Sequence, residues 1–267
     1  MIEGITVEIC CGSLTDVIHA SSIAEVDRIE LNCALELGGL TPSMHTFLSA
    51  RKESDKKIIC MVRPRGAGFI YNAYEKETMY NDAKSFLENH ADGIVFGALN
   101  KDHAIDEAFT QKMVELIHSY GKEAVFHKAF DNTEDPVSSI QTLIQCNVDR
   151  ILTSGQKPST EDGIALIRDL QKTYGDRIEL LPGGGVTKKN AKKILRETGC
   201  MQIHMTAKSE YEDDGTYYAV DPHKIKEVLQ SLRLSNRTLT AADHSMLKND
   251  SYESRMYAHE EDDHDQW

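Results

Sequence analysis

Short apolar runs alternate with helix-patterned stretches eight times along the chain. The runs cover residues 6–11, 28–32, 58–64, 93–99, 124–130, 150–155, 178–183 and 201–206. Runs this short, bounded by turn-forming residues, read as buried strands, and the amphipathic segments between them read as helices. Strict strand–helix alternation predicts a parallel sheet, and eight units predict an α/β fold of the closed (β/α)8 TIM-barrel type. In such a barrel the active site lies at the C-terminal ends of the strands.

The helices are expected over 13–25, from Thr41-Pro42-Ser43 onward, and over 75–89, 106–120, 135–146, 160–174, 187–198 and 221–232. Thr41 is the expected cap of the second helix, with Pro42 in its first turn, where a missing N–H costs little. Asp135-Pro136 and Thr187 carry similar start signals. The barrel is expected to span 1–232. Over 233–267 the apolar period lapses and the chain runs into His259-Glu260-Glu261-Asp262-Asp263-His264-Asp265. This stretch reads as a solvated acidic extension, mobile or loosely packed, with metal scavenging by His259 and His264 as the alternative.

Composition narrows the classes. A chain of 267 residues suits one barrel of about 250 residues. The six cysteines, at 10, 11, 33, 60, 146 and 200, match neither a zinc-finger spacing nor a disulfide framework, so reduced thiols are expected. A formal charge of −13 argues against nucleic acid as a partner. No apolar stretch approaches the ~20 residues that span a bilayer, and no signal peptide is visible at the start. A soluble, cytoplasmic protein is the expectation.

Side chains two apart on a strand share a face. Parity then puts Glu8 with Cys10, Glu30 with Asn32, Met61 with Arg63 and Arg65, His127 with Asp131, and His204 with Thr206. Lys128 falls on the other face if its strand stays regular. Barrel interiors normally fill with Val, Ile and Leu. Acids, bases and a thiol converging from five strands therefore point to a functional mouth. The bland alternative is an ion network such as Glu8 and Glu30 with Arg63. Pro182-Gly183-Gly184-Gly185-Val186-Thr187 follows the seventh strand and precedes a helix, a setting that suits anion binding. Thr153-Ser154-Gly155 could add donors. The anion-binding candidates are therefore Arg63, Arg65, Ser154, Gly183, Gly184 and Gly185. Candidates for proton transfer are Glu8, Glu30, His127 and Asp131. Soft donors for Cu(I) are Cys10 and Cys33, with His127 or His204 as imidazole partners. Glu8, Glu30 and His204 could instead hold a harder divalent ion.

The motifs Val7-Glu8-Ile9-Cys10, Asp27-Arg28-Ile29-Glu30-Leu31, Gly38-Gly39-Leu40-Thr41-Pro42-Ser43 and Val62-Arg63-Pro64-Arg65-Gly66 resemble those of the CutC copper-homeostasis proteins. So do Asp92-Gly93-Ile94-Val95-Phe96-Gly97, Phe126-His127-Lys128-Ala129-Phe130-Asp131, Arg150-Ile151-Leu152-Thr153-Ser154-Gly155 and Pro182-Gly183-Gly184-Gly185, in one order over about residues 6–232. The resemblance implies a cytoplasmic barrel that forms a homo-oligomer, dimer or tetramer. It also implies a metal site for Cu(I) at cysteines near the first two strands, here Cys10 and Cys33, to which the residues themselves add His204 as a candidate ligand. Many members carry the second cysteine directly after Glu-Leu, where this chain has Asn32, and parity aims Cys33 away from Cys10. Two functions follow as expectations: copper handling at the barrel mouth, or acid–base chemistry on a small phosphorylated or otherwise anionic metabolite.

Overall fold

The computed structural model describes residues 4–233. Its first strands and helices are β1 (Thr6–Cys11), α1 (Leu14–Ser21), β2 (Arg28–Leu31), α2 (Met44–Glu53), β3 (Lys57–Met61), α3 (Ala73–Glu88) and β4 (Gly93–Phe96). They continue as α4 (Glu107–Ser119), β5 (Glu123–Phe126), α5 (Pro136–Gln145), β6 (Arg150–Thr153), α6 (Ile164–Tyr174), β7 (Glu179–Pro182), α7 (Ala191–Thr198) and β8 (Gln202–Met205). The eight strands pair in parallel in chain order from β1 to β7, and β8 pairs with β1. One bridge between Gly183 and His204 brings β7 and β8 together and closes the ring. The α/β (β/α)8 barrel expected from the alternation is the observed fold. The acidic extension lies, beyond Arg233, outside the described residues. Among the described residues no helix is long and apolar enough to cross a membrane.

Strand alternation sorts the core into two layers. Val7, Ile9, Cys11, Ile29, Ile58, Cys60 and Phe96 belong to the large cluster shared with helix residues such as Phe47 and Phe86. Those two rings meet edge to face at 5.4 Å. A separate apolar cluster consists of Ile59, Met61, Val95 and Val125 alone. The opposite parity of β1, β2 and β8 carries Glu8, Arg28, Glu30, Gln202 and His204, all buried. Buried charges are tolerated only when paired and hydrogen-bonded, and here they are. Arg28 pairs with Glu8 and donates to Gln202 Oε1 at 2.9 Å. Gln202 donates to Glu179 Oε2 at 3.1 Å, which also accepts from Arg150 Nε at 2.9 Å.

Three local expectations change. Ser43, not Thr41, caps α2, accepting from Thr46 N at 3.0 Å. Thr41 is instead committed to the segment after β3, where its hydroxyl accepts from Arg63 N at 2.9 Å and donates to Arg63 O at 3.1 Å. Asn190 occupies the start of α7, and Thr187 N donates to its Oδ1 at 2.8 Å. After β8, where the sequence pattern predicts no element over 207–220, an exposed hairpin of β9 (Lys208–Glu212) and β10 (Thr216–Val220) forms before α8 (Pro222–Arg233). No buried face gives that hairpin an apolar period; a stacked Tyr211–Tyr217 pair, 5.5 Å between centroids, spans its two strands.

Candidate functional site

The register of three neighbouring strands assembles the centre of the mouth. Glu8 lies beside Arg28 on β2 and beside His204 on β8, and Cys10 lies beside Glu30. Cys10, Glu30 and His204 thereby bring a thiol sulfur, a carboxylate oxygen and an imidazole nitrogen within 4.8 Å of one another, all from buried residues. Cys10 Sγ donates toward Glu30 Oε1 at 3.7 Å. Asn32 Nδ2 donates to that oxygen at 2.8 Å and contacts Cys10 Sγ at 3.5 Å. Beneath the trio, Glu8 Oε1 holds His204 Nδ1 at 2.7 Å, which leaves Nε2 as the free ring nitrogen. A carboxylate behind an imidazole fixes ring orientation and raises its strength as a ligand.

Burial and charge set the protonation of these groups. Burial opposes ionisation of Glu8, but Arg28 and His204 outweigh it and hold the carboxyl well below the usual range. Burial, reinforced by Glu30, pushes the Cys10 thiol well above its ordinary value. Burial also raises Glu30, with Glu8 adding and His204 opposing. For His204 burial works against the charged ring, yet Glu30 and Glu8 prevail and raise its pKa. The trio is a mixed donor set: one soft thiol, one imidazole and one hard carboxylate. A metal bound there must displace the Cys10 proton.

The pocket as a whole, about 790 Å³, is also lined by Met61, Phe69, Leu152, Arg63, His127 and the β7 loop, with the Phe69 ring 5.0 Å from that of His127 and the Arg63 guanidinium 4.8 Å over the Phe69 ring. Arg63 Nη1 donates to the carbonyls of Leu37, Gly38 and Gly39 at 3.1–3.3 Å, and Nη2 to Ala67 O at 2.7 Å. Gly38 and Gly39 adopt φ of +88° and +84°, and a Cβ at Gly39 would lie 2.5 Å from Asn32 Oδ1. Those two glycines let the loop wrap the arginine and the amide. The alternative pairing of Arg63 with Glu8 or Glu30 does not form, because its guanidinium is taken up by backbone carbonyls. His127 Nδ1 accepts from Ala129 N at 3.1 Å, so the ring hydrogen sits on Nε2. Burial, with Arg63 adding, lowers His127 to about 3, and the ring is neutral. Its Nε2 has no hydrogen-bond partner, nor has Arg63 Nε or Asn32 Oδ1.

The remaining candidates are placed elsewhere. Cys33 pairs its backbone with Leu40 and donates Sγ to Thr41 O at 3.1 Å, outside the trio. Arg65 pairs with Glu75 on α3 and stacks over Tyr71, away from the pocket lining. Asp131 leaves the expected parity because β5 ends at Phe126 and a 3-10 helix, Lys128–Asn132, follows. It accepts instead from Ser154 N and Ser154 Oγ at 2.9 Å and from Gln156 N at 3.0 Å, stapling the β6 loop. Ser154 spends its hydroxyl there and on Lys157 O. The same break in β5 swings Lys128 into the pocket lining. Gly183, Gly184 and Gly185 do line it. Sequence reasoning missed Arg28, although it stands two residues before Glu30 and shares its parity. It also missed the lining lysines of the β7 loop, the start of β9 and α8, where no buried strand face marks them.

The CutC family model matches residues 5–209. The family protein CutC of Treponema denticola is 45% identical over 214 residues, covering 80% of this chain and 86% of that protein. The human copper homeostasis protein cutC homolog is 35% identical over 207 residues, 78% of this chain and 75% of that one. A solved structure of CutC from Streptococcus agalactiae, described as a copper homeostasis protein, superposes with a TM-score of 0.71. It shares 33% identity and covers 76% of this chain and 98% of that one.

Proposed function

The chain belongs to the CutC family, and from that premise we propose that it handles copper, taking Cu(I) at the C-terminal mouth of its barrel. Cys10 Sγ and His204 Nε2 are the donors, with Glu30 beside them. The observation that carries this is the convergence of the three donor atoms within 4.8 Å. A thiolate and an imidazole suit Cu(I), and the Glu8 carboxylate 2.7 Å behind His204 is the support such a ligand ordinarily has. Glu30 is the poor fit to a soft ion, and its oxygen would favour a borderline divalent ion with the same cysteine and histidine. The six free cysteines suit a reducing, cytoplasmic setting. The test is competition for Cu(I) against a chromogenic chelator under reducing conditions. Cys10→Ser is expected to abolish stoichiometric binding while Cys33→Ser retains it; unchanged affinity in Cys10→Ser would overturn the proposal.

A second reading is favoured by His127, a neutral imidazole whose Nε2–H is buried in the same mouth without a partner. Unsatisfied buried donors are rare and cost stability, so a ligand that accepts from it would relieve that cost. In this reading the mouth does acid–base chemistry on a small anionic metabolite, with Glu30 moving a proton and His127 polarising an oxygen. A melting-temperature screen against small carboxylates and phosphate esters tests it. A rise that disappears in His127→Asn supports the reading, and no rise with any compound removes it.

A further inference from the structure

The charge of the mouth is opposite to that of the molecule. The chain carries −13 overall, yet Lys128, Lys188, Lys189, Lys208 and Lys224 line the pocket with Arg63, against the acids Glu30 and Glu227. A cleft lined by one sign of charge concentrates ligands of the other sign. Lys188 is matched by Glu227 at 2.7 Å. Lys128 lies 3.9 Å from Asp131, whose oxygens are already taken by the β6 loop. Lys189 has no acidic partner among the described residues.

The β7 loop offers backbone donors beside these cations. Gly183 N donates to Thr153 O at 2.9 Å and Thr187 N to Asn190 Oδ1 at 2.8 Å. Between them the N–H groups of Gly184, Gly185 and Val186 meet no acceptor among the described residues. Gly184 and Gly185 take φ of +130° and +71°, the backbone freedom that lets consecutive N–H groups form an anion-binding concavity. An independent observation comes from two buried side chains of the same lining. His127 and Arg63 are 3% and 6% exposed, line the same cavity, and each keeps one N–H without a partner.

Three backbone donors with two ammonium groups exceed what a carboxylate's two oxygens engage. They match the three terminal oxygens of a phosphate monoester, which carries about −1.5 to −2 at neutral pH. A volume of about 790 Å³ leaves room for an organic group beyond the phosphate. Met61, Phe69 and Leu152 give that group an apolar wall. We infer that the mouth binds a small phosphate monoester, its phosphate on the Gly184–Val186 N–H groups beside Lys128 and Lys189, and an oxygen of its organic part on His127 Nε2–H and Arg63 Nε–H. This rests on the second reading above and names its ligand class.

The test is titration calorimetry of the metal-free full chain with sn-glycerol 3-phosphate, inorganic phosphate and D-glycerate. Both phosphates are expected to bind more tightly than glycerate. Lys189→Ala, which removes no ion pair, should weaken both phosphates about tenfold, the loss of one charge-assisted contact. His127→Asn should weaken the ester and leave inorganic phosphate unchanged. Glycerate binding as tightly as the phosphates, or full affinity in Lys189→Ala, overturns the phosphate assignment while the anionic-metabolite reading stands. Absence of binding by all three overturns the assignment, and the melting screen then decides whether that reading falls with it.

Discussion

His127 shows how one residue's surroundings set what it can do. Its Nδ1 is occupied by Ala129 N, burial and then Arg63 hold it neutral with a pKa of about 3, and its buried Nε2–H is unmatched. It is therefore a donor, not a base. Its proton balance has a measurable consequence. In the unfolded chain the ring protonates below its ordinary value of 6.5, whereas in the folded chain it stays neutral down to about 3. The unfolded state thus binds more protons between those values, and stability is full above 6.5 and lost as the pH falls through that window. Denaturant titrations of wild type and His127→Asn should diverge there by up to about 1.4 kcal/mol per pH unit. Parallel curves would contradict the assignment.

At the scale of elements, strand register does most of the work. Side-chain parity, readable in the sequence, places Glu8, Cys10, Glu30 and His204 on the inner face, and the structure brings three of them to one point. Parity could not foresee that β5 would stop at Phe126, because the stop comes from His127 capping a 3-10 helix with its own ring. That turn exchanges the places expected of Lys128 and Asp131. Cys33 was legible as outward-facing, since it follows Asn32 beyond β2. Which strand lies beside which residue was not legible, so Arg28 went unnoticed as the partner of Glu8. The hairpin β9–β10 has no buried face and hence no period to read. The pairing across β1 and β2 can be tested by substitution. Arg28→Met leaves a buried carboxylate without its cation and should cost about 3–5 kcal/mol, most of it recovered in Glu8→Gln with Arg28→Met. A cost in the single variant no larger than that of a surface change would contradict the pairing.

Over the described residues the chain forms a parallel barrel whose interior holds buried ion pairs beside a small apolar cluster. The polar chain from Glu179 through Gln202, Arg28 and Glu8 ends at His204. It thus connects the amino ends of the strands to the mouth. Family membership, copper by name in the relatives, and the trio at the strand ends meet at that point. The central claim is that one thiol and one imidazole, not two thiols, receive the metal. Copper-edge X-ray absorption of the full chain loaded with Cu(I) under reducing conditions tests it most directly. A coordination shell with a single sulfur and an imidazole, unchanged in Cys33→Ser and accompanied by loss of stoichiometric loading in Cys10→Ser, is the predicted result. A shell of two sulfurs, one of which disappears in Cys33→Ser, would contradict the account.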